Sequence, residues 1–380
     1  MFDFDLIIDR SASDSVKWHK YSGKDIIPMW VADMDFQSPP AIIEALQRRI
    51  DHGVFGYGVP GEDLSETIME YLQRTYQWHI DPKWLVWLPG LVTGLNVACR
   101  SVGQRGDSVL TTVPVYPPFL SAPRNSDRNL ITSRMRFLNH RWELDFDDLT
   151  ARMDGRTRLF ILCNPHNPTG RVFTFQELTK LAQLCLDRNL IICSDEIHCD
   201  LVLETGCSHL PIASISPEIA RQTITLMAPS KTYNIPGLSC SYAIIPNDQL
   251  RRKFKAAMAG IVPHVNILGL AATQAAYTFG QPWLDDLKRY LRGNRDLIYS
   301  EVSKINGLKM GPVEATYLAW IDACELNVAD PARWFEKAGV GLSDGREFDG
   351  QGFVRLNFGC PRSRLRQVLS RMGRAIIDLG

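Results

Sequence analysis

Lys231 stands between two apolar runs, residues 223–227 and 240–245, directly after Ala228-Pro229-Ser230. A lysine delivered at the end of a buried strand is poorly solvated, so its ammonium is disfavoured and its amine becomes a usable nucleophile. Schiff-base chemistry needs such an amine. Two more apolar runs end in groups that suit the same chemistry. Residues 190–194 lead into Asp195, and residues 159–163 lead into Asn164 and the turn Pro165-His166-Asn167-Pro168-Thr169-Gly170. Three strands thus bring an amide, an acid and an amine to their carboxyl ends, the edge where open α/β sheets bind ligands. An Asp, a Lys and a phosphate-binding turn form the set expected for pyridoxal phosphate.

Such strands need helices to carry the chain between them. Thr174 and Glu177 form a capping-box pair opening a helix to about residue 188, which links the Asn strand to the Asp strand as a parallel sheet requires. Residues 84–88 and 108–113 read as further strands. After the first, Gly90-Leu91-Val92-Thr93-Gly94 opens a helix to about residue 102. N–H groups at a helix start bind phosphate, and Gly90 and Gly94 would let the chain approach closely; a plain Pro-Gly turn is the other reading. The second strand ends near Tyr116, placed either to stack on a ring or to fill the core. Apolar residues at 42, 46 and 50 predict a helix over 41–50. Helical stretches at 265–279 and 283–305 lead into a smaller part. The expected fold class is α/β. A large domain with a doubly wound, mostly parallel sheet covers 46–275, and a smaller α+β domain covers 276–380. An N-terminal arm, 1–45, joins the smaller part.

Composition excludes several other classes. The 42 basic and 42 acidic residues balance, which gives no reason to expect nucleic acid or an anionic membrane surface as partner. No apolar run approaches the roughly 18 residues of a membrane span, and Met1-Phe2-Asp3-Phe4-Asp5 lacks the pattern of a signal peptide. The nine cysteines form no C-x-x-C pair and the eight histidines show no metal-ligand spacing. A cytoplasmic enzyme without a metal is expected.

The turn 164–170, Asp195-Glu196-Ile197-His198 and Ser230-Lys231, in that order, resemble the fold-type-I aminotransferase superfamily. WVADMDF (30–36), FGYG (55–58), PVYPPF (114–119), PSKTYNIPGL (229–238), TYLAWID (316–322) and GFVRLNFGCPR (352–362) narrow this resemblance. Together they resemble the bacterial cystathionine β-lyase-type C–S lyases over essentially the whole chain. The resemblance implies that Lys231 carries pyridoxal 5'-phosphate and serves as the base at the substrate Cα. It places Asp195 on the pyridine nitrogen, Asn167 on the ring 3-oxygen and Tyr116 on the ring face. His198 stands beside the ring where aspartate aminotransferases carry a tyrosine. Val92, Thr93 and Ser230 would hold the phosphate. Arg355 would clamp the α-carboxylate of an amino-acid substrate, with Val31, Ala32, Asp33 and Asn167 on the substrate side. Tyr57 would reach the phosphate of a neighbouring subunit, which implies a homodimer with a shared site. The implied reaction turns a cysteine S-conjugate into pyruvate, ammonia and a thiol. An aminotransferase, or a regulatory protein using this fold to bind a partner, are the alternatives. Many members of the superfamily carry an arginine eight residues after the lysine; here that residue is Ser239, which leaves the phosphate without an identified cation. By the same resemblance the Val113-Pro114 and Asn167-Pro168 bonds are expected to be cis.

Overall fold

Seven short apolar runs pair into one sheet in the computed structural model, which describes residues 2–138 and 141–377. They are β1 (Leu85–Leu88), β2 (Ser108–Val113), β3 (Asn129–Arg134), β4 (Thr157–Cys163), β5 (Ile191–Asp195), β6 (Thr223–Met227) and β7 (Ser241–Ile244). The order across the sheet is β1-β7-β6-β5-β4-β2-β3. Neighbours are parallel except β7, which runs antiparallel to both β1 and β6. β2 and β6 are buried along their whole length. Helices cover both faces of such a strand, so it reads as a continuous apolar run and not as an alternating one.

The crossovers follow local rules. Helix Phe175–Asp187 joins β4 to β5 and starts on the expected capping box. Thr174 Oγ1 accepts from the Glu177 amide at 3.2 Å, and Glu177 Oε2 accepts from the Thr174 amide at 2.8 Å. Helix Leu91–Ser101 lies against β6 because Gly94 has no side chain: a Cβ there would stand 3.0 Å from the Leu226 methyls. Gly90 instead borders a cavity, with open space beside it. A Cβ on it would meet nothing within 4 Å, so its lack of a side chain serves no protein contact.

A second sheet is antiparallel. It joins Lys309–Met310, Leu318–Asp322, Phe353–Asn357 and Ser343–Asp344 in that order. The N-terminal arm belongs with it, since Ile27–Pro28 pairs with Val340–Gly341. Helices Ile267–Phe279 and Gln281–Val302 connect the two sheets, and one apolar cluster runs from Met29 through Tyr233 to Leu356. The Val113-Pro114 and Asn167-Pro168 bonds are both cis, and so is Asn164-Pro165, which the sequence had not singled out. Among the described residues no helix is long and apolar enough to cross a membrane.

The turn after β4 is fastened to the second sheet by Glu314. Its carboxylate accepts from the buried Arg171 Nε at 3.2 Å and the Val172 amide at 2.8 Å, while the Ala315 amide donates to Gly170 O at 2.9 Å. Arg171 keeps Glu177 as a second partner at 2.8 Å. Removing one acceptor from a buried charge typically costs about 3–5 kcal/mol. Glu314→Ala should therefore lower stability by about 3 kcal/mol, the low end of that range. Urea unfolding checks it, and an unchanged midpoint would show that Glu177 alone satisfies Arg171.

Candidate active site

A cavity of about 340 Å³ opens at the carboxyl ends of β1, β2, β4, β5 and β6, and the second sheet and the N-terminal arm close its other side. The chain after β6 is tied down on both sides of Lys231. The Tyr233 amide donates to Pro229 O and the Ile235 amide to Ser230 O, each at 2.9 Å. Thr232 Oγ1 donates to Asp200 Oδ2 at 2.8 Å, and the hydroxyls of Tyr71 and Tyr76 donate to the other oxygen of Asp200. Asn234 then reaches the arm: its amide nitrogen donates to Met34 O at 3.0 Å and Phe36 O at 2.8 Å.

Lys231 Nζ consequently has little freedom. It donates to Ala32 O at 2.6 Å, and the Tyr317 hydroxyl donates to the same carbonyl at 2.9 Å. Desolvation pushes the amine down to about 8; Arg355 acts the same way, and Asp33 and Asp195 oppose it. Asp195 ends β5 with Oδ1 accepting from the Ile197 amide at 3.1 Å. Burial raises its carboxyl to about 7, against the pull of that amide and of Lys231. Glu196 points elsewhere, into a closed network with His209 at 2.8 Å and Ser194 at 2.8 Å.

Arg355 enters from the second sheet. Nη1 donates to Asn167 Oδ1 at 2.9 Å, while Nη2 donates to Trp30 O at 2.8 Å and Ser343 Oγ at 3.2 Å. The guanidinium stacks 4.6 Å from the Phe348 ring centre, and Nε has no partner. Its burial lowers the pKa to about 10. Asn167 is fixed by its own amide, which donates to Cys163 Sγ at 3.4 Å, and its carbonyl accepts from the Tyr116 amide at 3.1 Å. His198 is neutral: burial, Lys231 and Arg355 push it to about 3, and its Nδ1 is without a partner.

At the end of β1, helix Leu91–Ser101 has no side-chain cap, and Gly90 to Thr93 line the cavity. The first-turn N–H groups of a helix lack intrahelical partners and attract an anion. The residues fit an aromatic aldehyde with an anionic tail. They offer an amine held out of water, an acid at the end of the neighbouring strand, the half-buried ring of Tyr116, free N–H groups at a helix start and an orphaned imidazole nitrogen at His198.

The cavity brings together Lys231, Asp195, Asn167, His198, Tyr116, Val92, Thr93, Ser230, Arg355, Val31 and Ala32. Asp33 and Tyr57 are not among its lining. Asp33 faces away, its carboxylate 2.7 Å from Arg10, so that only its charge acts on Lys231. Tyr57 is fully exposed. Ser239 does not line the cavity either. Sequence reasoning missed Cys163, Ser343, Phe348 and Glu347, which also line it. Cys163 lay within the apolar run of β4. The other three lie around a short turn that has no periodic pattern to single them out.

The model for aminotransferase class I and II matches residues 24–372. The chain is 38% identical to cystathionine beta-lyase PatB of Bacillus subtilis (strain 168), over 98% of this chain and 100% of that one. The crystal structure of OvoB superposes with a TM-score of 0.97 at 49% identity, covering 99% of both chains. Cystalysin from Treponema denticola, whose crystal structure contains a pyridoxal 5'-phosphate cofactor, superposes with a TM-score of 0.96 at 33% identity over 100% of both.

The depressed basicity of Lys231 can be read directly. After hydroxylamine treatment to strip carbonyl adducts, acetylation of Lys231 by acetic anhydride should rise with a midpoint at about pH 8. A freely solvated lysine gives about 10.4. Peptide mass spectrometry across a pH series measures it, and a midpoint above 10 would mean that the amine is solvated.

Proposed function

The chain belongs to the aminotransferase class I and II family, and from that premise we propose that it is a pyridoxal-phosphate-dependent carbon–sulfur β-lyase. Its substrate is a cysteine S-conjugate, and its products are pyruvate, ammonia and a thiol. The observation that carries this reading is the convergence of Lys231, with its lowered pKa, Asp195, with its raised one, and the Arg355 guanidinium on one cavity.

Bound pyridoxal phosphate supplies the electron sink that lets a Cα–H bond break and a Cβ–S bond follow. The residues divide the remaining work. Val92, Thr93 and Ser230 would hold the phosphate, with the N–H groups of the helix start in place of the cation missing at Ser239. Tyr116, Asn167 and His198 would hold the ring, and Asp195 would keep a proton on its nitrogen. A cationic partner brings a buried carboxyl back down from a raised pKa, so Asp195 and a ring N–H⁺ stabilise one another. Lys231 takes the Cα proton on Nζ. An amine lowered to about 8 keeps a far larger neutral fraction near pH 7 than an ordinary lysine does, which is what a general base needs. The Ala32 carbonyl gives that amine a fixed donor direction. Arg355 holds the α-carboxylate, and because Asn167, Trp30 and Ser343 already orient its fork, little ordering is left to do on binding.

The arm over 1–45, the large domain over 46–275 and the small domain over 276–380 are part of the same proposal, supported by the sheet to which each strand belongs. So is a cytoplasmic location, for which the scattered cysteines are the support. A second copy of the chain completes the site, with Tyr57 reaching into its partner's phosphate region. The exposed Val54, Phe55, Tyr57 and Val59 support a covered face there. Mixing Lys231→Ala with Tyr57→Phe dimers should restore activity, since one of the two hybrid sites is intact. No recovery on subunit exchange would place Tyr57 outside the partner's site.

The reaction itself is tested by incubating the holoenzyme with L-cystathionine without a keto acid and measuring pyruvate, ammonia and thiol. Arg355→Lys replaces a planar fork with a point charge. It should lower kcat/KM at least 10²-fold, about 2.7 kcal/mol, while cofactor absorbance is retained. Keto-acid-dependent amino transfer without pyruvate would show an aminotransferase instead.

A further inference from the structure

Glu347 is the one charged residue of the cavity, among those described, that the reaction above leaves without work; the others are Asp195, Lys231 and Arg355. Its surroundings leave it uncommitted. Neighbouring Arg346 is taken up by Asp344 and by Asp330. Among the described residues Glu347 itself makes no ion pair or hydrogen bond.

The backbone that carries it is firmly placed. Gly345–Phe348 form a short turn capped by Asp344, whose carboxylate accepts from the Arg346 amide at 2.9 Å. Gly345 packs so tightly that a Cβ would stand 2.2 Å from Gly350 O and 2.3 Å from Phe353 O. Phe348 O accepts from the Val115 amide at 2.9 Å, which ties the turn to the chain just before Tyr116. The Glu347 carboxylate is thus presented at the exposed rim of the cavity, near enough for its charge to act on Arg355.

A bound cysteine conjugate has its α-carboxylate on Arg355 and its α-amine by Lys231, so only the sulfur substituent is left to extend toward the rim. Resting on the lyase reading, we propose that Glu347 selects the leaving group. The preferred substrate is a cysteine conjugate whose sulfur substituent carries a positive charge, received by the Glu347 carboxylate. The reaction balances as R–S–CH₂–CH(NH₃⁺)–COO⁻ plus water giving R–SH, pyruvate and ammonium; Cβ–S breaks, and the cation leaves with the thiol. A second groove shares Pro117 and Glu347 and also holds Arg124 and Arg346.

Three conjugates of similar length test this on the holoenzyme: S-(2-aminoethyl)-, S-propyl- and S-(2-carboxyethyl)-L-cysteine. The native enzyme should favour the aminoethyl over the propyl compound by about fivefold in kcat/KM, the scale of a rim ion pair. It should disfavour the carboxyethyl compound, and rising salt should shrink both differences. Glu347→Gln should bring the aminoethyl-to-propyl ratio to about one, and Glu347→Lys should turn the preference toward the carboxyethyl compound. A native ratio near one, or a ratio unchanged in Glu347→Gln, overturns the proposal. Absence of pyruvate from all three would instead count against the lyase reading. The dissociation constants of the three conjugates, read from the absorbance of the bound cofactor, then test Glu347 by the same ratio.

Discussion

Everything in this structure depends on holding one amine out of water without pairing it to a carboxylate. Lys231 has two acids in range, yet neither touches it; its hydrogen bond goes to the neutral carbonyl of Ala32. A direct ion pair would raise the pKa and hold the lysine as an ammonium, useless as nucleophile or base. A carbonyl partner satisfies a proton without adding a charge. Desolvation then dominates, and the amine drops to about 8. Asp195 meets the same environment from the opposite side and rises to about 7. The cavity therefore pushes an acid and a base toward each other's range, the pattern by which acid–base sites are recognised.

That carbonyl must itself be held in place, and this explains the N-terminal arm. Successive main-chain oxygens of the arm accept from side chains of other elements: Trp30 O from Arg355, Val31 O and Asp33 O from Asn357, Ala32 O from Tyr317 and Lys231, Met34 O and Phe36 O from Asn234. A loop so fastened has no freedom to carry Ala32 away from Lys231. Behind it lies an ionic cluster. Asp35 is fully buried, yet Lys17, Arg364 and Arg10 overcome its desolvation and hold its carboxyl below the usual range. Breaking any of these pairs would leave a buried charge short of a partner, so the arm is costly to dislodge.

The sequence showed the half of this arrangement that comes from regular structure. Asn167, Asp195 and Lys231 follow apolar runs that can only be buried strands, and a parallel sheet places such strand ends on one edge. The Thr174–Glu177 cap was legible for the same reason, since its chemistry is local. Position alone failed for Asp33, because the chain bends at residues 31–32 and the Asp33 amide donates back to Val31 O at 3.0 Å; Ala32 is left facing the cavity and Asp33 facing Arg10. Gly90 and Gly94 looked alike in the sequence, and only the packing of Leu226 against the helix separates them. Ser343, Glu347 and Phe348 left no signal. They arrive from a sheet distant in the chain, through a turn whose register depends on Gly345 fitting between two carbonyls.

Those unsignalled residues divide between two tasks: Ser343 and Phe348 hold Arg355, and Glu347 stands at the rim. The guanidinium of Arg355 is oriented before any substrate arrives, by three acceptors and the Phe348 ring. Recognition of the α-amino-acid end is then common to every amino acid and discriminates among none of them. Discrimination has to come from the part of the substrate that amino acids do not share, which is the group beyond Cβ. In the proposed pose that group meets Glu347, with Val31 and Pro117 beside it in the lining, and none of these stands on the strand ends that carry Lys231 and Asp195. A substitution at Glu347 can therefore change that lining while Ser343 and Phe348 go on holding the arginine.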